Sequence, residues 1–350
     1  MAVFENPDFT NLPQPLASLF AKAAERSFFA LPIWYHVLYH YGTDMGAVPR
    51  LYADDEAKPR AALVCQAPKR GSRRLLSLSN YYSTEYGPLY AAGEENLSEA
   101  FGIIARQIRA GRWAAVRLAG LDPADPAFAP LADSFANAGF AVYRYFDSGT
   151  WYENTAGLEF ARYVEARPAA LRNTWRRKSQ KLAAEHKTEF AFYDGDARIE
   201  DAVEVYQRVY QTSWKGAEPY AEFMPHLIRA AAQAGALRLG VLKVDGEEAA
   251  AQCWILWHGR ATIYKLAHDA RFNEHSPGTL LTMAVMERVL ERDRPREVDF
   301  GRGDDDYKKL WLGQRRERWG LVIANRHTLG GLILVARESA ARMVKRLIRR

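Results

Sequence analysis

Between Val298 and Trp311 the chain reads VDFGRGDDDYKKLW, two glycines followed by three adjacent carboxylates and a Tyr-Lys-Lys-Leu-Trp run. Aspartates suit a helix start, where they meet unpaired N–H groups and the positive end of the dipole. That accounts for Asp304, Asp305 and Asp306 but leaves Gly301, Gly303, Tyr307, Lys308 and Trp311 without a reason. A second stretch, HDARFNEHSPGTLL from His268 to Leu281, runs from a strand into a glycine-containing loop that opens a helix. Backbone N–H groups and the helix dipole then point at one anion, and a phosphate fits there. Pro277 fixes the backbone at the helix start, Gly278 permits close approach and Arg271 adds positive charge. Ser-Pro-Gly is also a common turn, so this loop alone is equally a plain helix start.

These stretches need elements to hold them. In the first half, LPIWYHVLYHYG has apolar residues at helical spacing, and AALVCQAP and RLLSLSN are short apolar runs bounded by Pro, Gly and Asn. After the loop YYSTEYGPLYAAGEE come a helix from Asn96 to Arg109, a strand WAAVRLAG, a helix ending at Ala138 and a strand FAVYRYFDS. The second half opens with the basic segment LRNTWRRKSQKLAAEHK, a helix with Trp175 and Leu182 on its apolar side. Helices follow at 199–213 and 221–234. LRLGVLKVDG, EEAAAQCWILWHG and RATIYKLAHD then alternate as strands, with Asp245-Gly246 and His258-Gly259 as hairpin turns. The loop and helix SPGTLLTMAVMERVLERD, the strand EVDFG, the aspartate motif and a strand RWGLVIAN complete the order, which echoes the first half and points to a duplicated unit.

Length and composition bound what such a chain is. At 350 residues there is room for two domains, each with its own core, and 48% hydrophobic with 26% charged residues is a folded composition. No window approaches the roughly 20 apolar residues that span a bilayer, and MAVFENPDFTNLPQP lacks a secretory pattern, so a cytoplasmic protein is expected. Cys65 and Cys253 read as buried free thiols; no Cys/His cluster offers a zinc site and no metal is expected. The net charge of +6 is concentrated in residues 171–187 and 336–350, so a general nucleic-acid surface is not required. Gly-x-Ser-x-Gly, His-Glu-x-x-His and Walker motifs are missing.

SPGTLL after ATIYKLAHD, DFGRGDDDYKKLW one helix later and LRNTWRRKSQKL before them make the chain resemble the GCN5-related N-acetyltransferase (GNAT) superfamily, in its CelD-like and FemAB-like branch. The likeness covers residues 155–325, and the first half only by order of elements. It implies an α/β (α+β) fold of two tandem GNAT-like domains, each a mixed, mostly antiparallel sheet flanked by helices. The expected boundaries are 1–154 for a degenerate first domain and 155–328 for the acyltransferase domain, followed by a basic amphipathic helix over 329–350. It implies acyl-CoA as co-substrate, with pyrophosphate held at Ala267, Arg271, Asn273, His275, Ser276, Pro277, Gly278 and Thr279, although Asn273–Gly278 stands where simple acetyltransferases carry a Gln/Arg-x-x-Gly-x-Gly/Ala loop.

On that reading Asp304 is the base or orients the amine, Tyr307 is the acid and Lys308 binds an anion of substrate or carrier. His268 is a further candidate base, while Gln252, Trp254, Tyr264 and Trp311 wall the substrate cleft. The expected reaction is N-acylation of a lipid or envelope-polysaccharide amine, with the basic tail either resting on an anionic membrane on the cytoplasmic face or docked on the protein body with its basic side in water. Two alternatives remain: a FemAB-like transfer from aminoacyl-tRNA to a cell-wall precursor, in which 172–181 holds RNA, and a non-catalytic scaffold of exopolysaccharide assembly. Nucleic acid is a partner in the first of these alone.

Overall fold

The structure, a computed structural model, describes residues 2–348, without the side chains of Asp196 and residues 344–348. Two compact units emerge, Met1–Ser148 with Glu317–Arg350, and Gly149–Arg316. The second unit is therefore inserted into the first.

The first unit contains β1 (Val3–Glu5), α1 (Gln14–Ala24), α2 (Pro32–Gly42), β2 (Val48–Ala53), β3 (Ala61–Ala67), β4 (Arg74–Ser77), β5 (Leu89–Tyr90), α3 (Leu97–Ala110), β6 (Ala115–Leu121) and α4 (Phe128–Asn137). β7 (Phe140–Asn154) carries the chain into the second unit. There follow α5 (Phe160–Glu165), α6 (Ala169–Glu185), β8 (Thr188–Tyr193), α7 (Ile199–Gln211), α8 (Phe223–Gln233), β9 (Leu237–Val244), β10 (Glu247–Trp257), β11 (Arg260–His268), α9 (Pro277–Arg288) and β12 (Glu297–Asp299). β13 (Gln314–Asn325) returns to the first unit, which α10 (Leu329–Ile348) completes. The end of the basic amphipathic helix expected over 329–350, from residue 344 onward, lies outside the described side chains.

Within the first unit the strands run β1-β2-β3-β4-β6-β13, and all these pairs are antiparallel except β4 with β6. In the second they run β8-β9-β10-β11-β12-β7, again antiparallel except for one pair, β11 with β12. The parallel pair occupies the same place in both orders, as duplication predicts. Each unit has its own apolar core, one including Phe101, Ile104, Leu131 and Ile323, the other including Trp254, Leu281, Met286 and Leu312. Fully burying one such side chain contributes roughly 1.5–3 kcal/mol. Cys65 and Cys253 are free and completely buried.

Local sequence explains the elements around the site. α1, α2 and α9 carry proline in their first positions, where the missing N–H and fixed φ are no handicap. Asp245-Gly246 (φ 51° and 88°) and His258-Gly259 (φ 43° and 81°) make the two-residue turns that join β9, β10 and β11. The strand RWGLVIAN, expected to close the domain 155–328, instead pairs with β6 and belongs to the first unit, and a second expectation also changes. Instead of a helix opening at Asp304, a single 3-10 turn runs from Asp306 to Leu310, because the Lys308 ammonium pulls the segment back onto its own preceding carbonyls. Among the described residues no helix is long and apolar enough to cross a membrane.

α9 lies directly on β9 at Gly240, where a Cβ would stand 2.4 Å from Val285 Cγ2 and 3.2 Å from Leu281 Cδ1. Gly240→Ala is expected to destabilise the protein by about 1–3 kcal/mol through overpacking, as read by urea denaturation. Unchanged stability would show that α9 and β9 are not held at this separation.

Candidate functional site

β11 and β12 pair over only three residues, Arg260 with Glu297, Ala261 with Val298 and Thr262 with Asp299. Beyond Thr262 the strand β11 continues to His268 while β12 ends, so the two part. β11 is also bulged: Cys253 faces Lys265 and Trp254 faces Ile263, and Tyr264 is the residue the register steps over. A bulge bends a strand and re-aims its side chains. In the first unit β4 ends at Ser77, one position after its last pairing with β6 at Leu76, so no comparable length of strand is left to part.

The segment between α7 and α8 closes over the parted stretch of β11. Ser213 forms a bridge with Asp269, and Ala270 N–H donates to Thr212 O at 3.4 Å. The Lys215 ammonium donates to Leu266 O at 2.6 Å, and Lys265 pairs with Glu218 at 2.6 Å. The Trp214 ring lies 4.1 Å from that of His268. Burial, followed by the charge of Lys265, pushes Lys215 down to about 8, with Lys308 acting in the same direction and Glu218 and Asp305 against it.

At the start of α9, Ser276 adopts a left-handed conformation (φ 53°) and no side chain caps the helix. An uncapped N-terminus offers N–H groups to an anion. Gly278 packs so close to His268 that a Cβ would stand 3.3 Å from Nδ1. His268 Nε2 meets Asn273 Oδ1 at 2.7 Å, its Nδ1 is buried without a partner, and burial lowers its pKa, favouring the neutral ring. Contacts thus lead from Gly278 through His268 and Trp214 to Lys215, whose ammonium feels the charges at 305 and 308.

The aspartate motif makes a sharp turn at Gly301 (φ 63°) and Gly303 (φ 112°), which glycine adopts without strain. The buried Lys308 ammonium donates to Arg302 O (2.8 Å) and Gly303 O (3.2 Å) and pairs with Asp305 (3.3 Å). Its three N–H bonds are thereby directed into its own turn, and burial lowers its pKa. Asp304 is gripped by Arg315 (Nη2 to Oδ2 2.7 Å, Nε to Oδ1 3.1 Å), and this bond holds its carboxyl below the usual range. Gly149 makes room for the pair, since a Cβ there would meet Asp304 Cγ at 2.7 Å, and its carbonyl accepts from Gly303 N–H at 3.1 Å. Tyr307 is 44% exposed, stands edge-on to Phe300 at 5.7 Å, and is pushed up to about 12 by burial of its inner side.

Other expected site residues fall elsewhere. Gln252 and Trp254 are fully buried: Gln252 Nε2 donates to Gly278 O (3.1 Å) and Thr282 Oγ1 (2.6 Å), while its Oε1 accepts from Trp254 Nε1 (3.0 Å). They tie β10 to the first turn of α9 from behind. Trp311 is buried too, its carbonyl accepting from Tyr163 Oη at 3.0 Å. Arg271 is exposed but already paired with Asp269 (2.8 Å) and Glu247 (2.9 Å). Ala267, Pro277 and His275 are buried, whereas Ser276, Thr279 and Tyr264 are half-buried and Asn273 is exposed. Lys215, Trp214, Arg315 and Gly149 are the residues that sequence reasoning missed.

Residues 169–309 match the acetyltransferase (GNAT) domain family. Among curated proteins none matches the chain. Similar solved structures include FemX, at 11% identity over 91% of this chain and 97% of that one with a TM-score of 0.61. A tandem GNAT protein from the clavulanic acid biosynthesis pathway matches at 16% identity over 92% and 98%, with a TM-score of 0.51. The C-terminal domain of a putative lysylphosphatidylglycerol synthetase from Agrobacterium fabrum matches at 12% identity over 82% and 87%, with a TM-score of 0.52. At these identities the likeness is one of fold.

Lys215 supplies a test of this geometry. Its pKa falls from 10.5 in the unfolded chain to about 8 in the fold, so the burial penalty is present in full below pH 8 and is relieved as pH rises toward 10.5. In an NMR titration of isotope-labelled lysines its signal is expected to move near pH 8, ahead of the exposed lysines. A midpoint among those of the exposed lysines would mean that the 212–218 segment does not cover β11.

Proposed function

We propose that the second unit, whose residues 169–309 match the acetyltransferase (GNAT) domain family, transfers an acyl group from acyl-CoA to an amine by direct attack in a ternary complex. What supports the reading is the parting of β11 from β12 beside an uncapped α9, linked through His268 and Lys215 to the turn that bears Asp304 and Tyr307. The N–H group of Gly278, with the side chains of Ser276, Asn273 and Thr279 beside it, receives the pyrophosphate, and pantetheine enters where the strands part. Asp304, kept ionised by Arg315, orients the amine. His268, neutral at physiological pH, takes the proton directly or through water. The amine nitrogen bonds to the thioester carbon, the C–S bond breaks, and Tyr307, still protonated at neutral pH, donates its proton to the departing thiolate. Lys308 is a positioning residue here, because its donors already hold the turn. No covalent enzyme intermediate is required.

For the acceptor we favour an amphipathic amine, either a lipid or an envelope-polysaccharide amino sugar. Leu329, Leu332, Ile333 and Met343 of α10 are exposed apolar side chains, a face suited to resting on a lipid surface. On this reading the protein rests on the inner face of a membrane, a proposal that the exposed side chains of α10 support. The first unit, with its short β4, serves acceptor binding and not a second CoA site.

The aminoacyl-tRNA alternative draws on one observation, a shallow cavity of about 350 Å³ on α6 lined by Asn173, Thr174, Arg176, Arg177 and Gln180. A carrier that binds the native state alone raises the melting point, by about 2.7 kcal/mol of stabilisation at 100 times its Kd. Long-chain or acetyl-CoA is expected to do so. Salt-sensitive tRNA binding with no response to either CoA ester would favour the alternative instead.

Asp304→Asn and Tyr307→Phe are each expected to lower kcat by about 10²- to 10⁴-fold while leaving the melting point within a few degrees. Mass spectrometry of lipid and polar extracts from cells carrying wild type or the double variant should show one N-acylated product missing from the latter. Identical extracts would remove these two residues from the chemistry.

A further inference from the structure

We propose that Glu185, His186 and His275 form a binding site for a divalent transition metal of zinc type, tying the end of α6 to the loop that leads into α9. Glu185 is the last residue of α6 and His186 its C-cap, while His275 closes the 3-10 turn Ala270–His275 just before Ser276. One ligand atom from each of the three lies within 4.8 Å of the other two. The two imidazole rings meet edge to face, 5.1 Å apart at 82°. Tetrahedral zinc spaces its ligand atoms roughly 3.4 Å apart, so small side-chain rotations would close the set without moving either backbone segment.

Two observations besides the cluster point to a ligand. His275 is only 3% exposed, yet its Nδ1 is buried without a hydrogen-bond partner. Polar atoms in such positions are normally satisfied, and an orphan asks for a missing partner. His186, in turn, has its Nδ1 fixed at 2.7 Å from Asp245 Oδ2, and Asp245 Oδ1 accepts from Lys187 N–H at 2.8 Å. A histidine anchored by a carboxylate through one nitrogen presents the other as a well-oriented, more basic ligand. Two imidazoles and a carboxylate are the donor set that zinc and its neighbours in the first row favour over magnesium or calcium.

The surroundings permit the charge. Glu274 Oε1 lies 3.2 Å from His275 Nε2 and is available as a fourth ligand or an outer partner. Lys181 reaches both Glu274 (3.1 Å) and Glu185 (3.8 Å), and the looser contact to Glu185 is the one a metal would displace. A metal here would lock the residues immediately ahead of α9, and with them the direction of its first N–H groups. Binding itself does not rest on the acyl-transfer reading, and its test needs no CoA.

The full chain, purified without a histidine tag and stripped with EDTA, is titrated with Zn²⁺ by calorimetry and with Co²⁺ by visible spectroscopy. One metal per chain and a tetrahedral cobalt spectrum are expected. His275→Phe, which keeps a flat ring, should abolish binding, and the exposed Glu185→Gln should weaken it without disturbing the fold. Asp245→Asn, compatible with the positive φ at that turn, should weaken it about tenfold or more. Wild type that takes up neither metal, or Glu185→Gln and His275→Phe proteins that bind as tightly as wild type, would overturn the site.

Discussion

The second unit is organised by the brevity of one strand pairing. β12 accompanies β11 for three residues and then leaves it, so the later backbone groups of β11 have no strand on that side. Buried backbone groups do not stay unpaired. Part of the demand is met by the 212–218 segment, which lays Ser213 against Asp269 and carries an ammonium to Leu266 O. Holding a lysine charge in that half-buried place lowers its pKa, so a feature that began as a gap in a sheet ends as a titratable group beside the turn at 303–308.

The turn is held both by its own lysine and by the strands beside it. Lys308 binds the carbonyls of Arg302 and Gly303 and the carboxylate of Asp305, while Gly301 N–H donates to Asp299 and Gly303 N–H to Gly149 O. Asp304 projects from this rigid base to Arg315, and Gly149 gives the ion pair space against the backbone of β7. Both ends of the pair are about a third exposed, so its contribution to stability is small. Its value lies in fixing the direction of a carboxylate that stays ionised.

Much of the fold was legible because it is written locally. Alternation over 237–268, Asp-Gly and His-Gly turns, and a proline at the start of α9 each act within a few residues, and the structure places those strands, turns and that helix accordingly. Several short elements, β1, β5 and α5, and the edge strand β8 carry too weak a pattern to be read. The site was legible where chemistry is clustered in sequence, at 301–308, and illegible where the fold assembles it. Lys215 is a lone loop lysine until Leu266, Lys265 and Lys308 surround it. The bulge at Tyr264 leaves the alternation of residue types intact and shows only in the pairing register. Gln252 and Trp254 lie on the expected strand, yet their polar atoms bond to α9 and to each other, a distinction no one-dimensional pattern carries.

The insertion of one unit within the other bears on how the protein is made. β13 pairs with β6 through Trp319 with Leu121 and onward to Ala324 with Ala115, so the first unit lacks its last strand until the chain has been translated past residue 325. Every strand of the second unit has already been synthesised by then. Domains commonly mature from the N-terminus during translation; here the order is reversed. The nascent chain must carry β6 as an open edge, of the kind that invites stray pairing, through the synthesis of an entire domain.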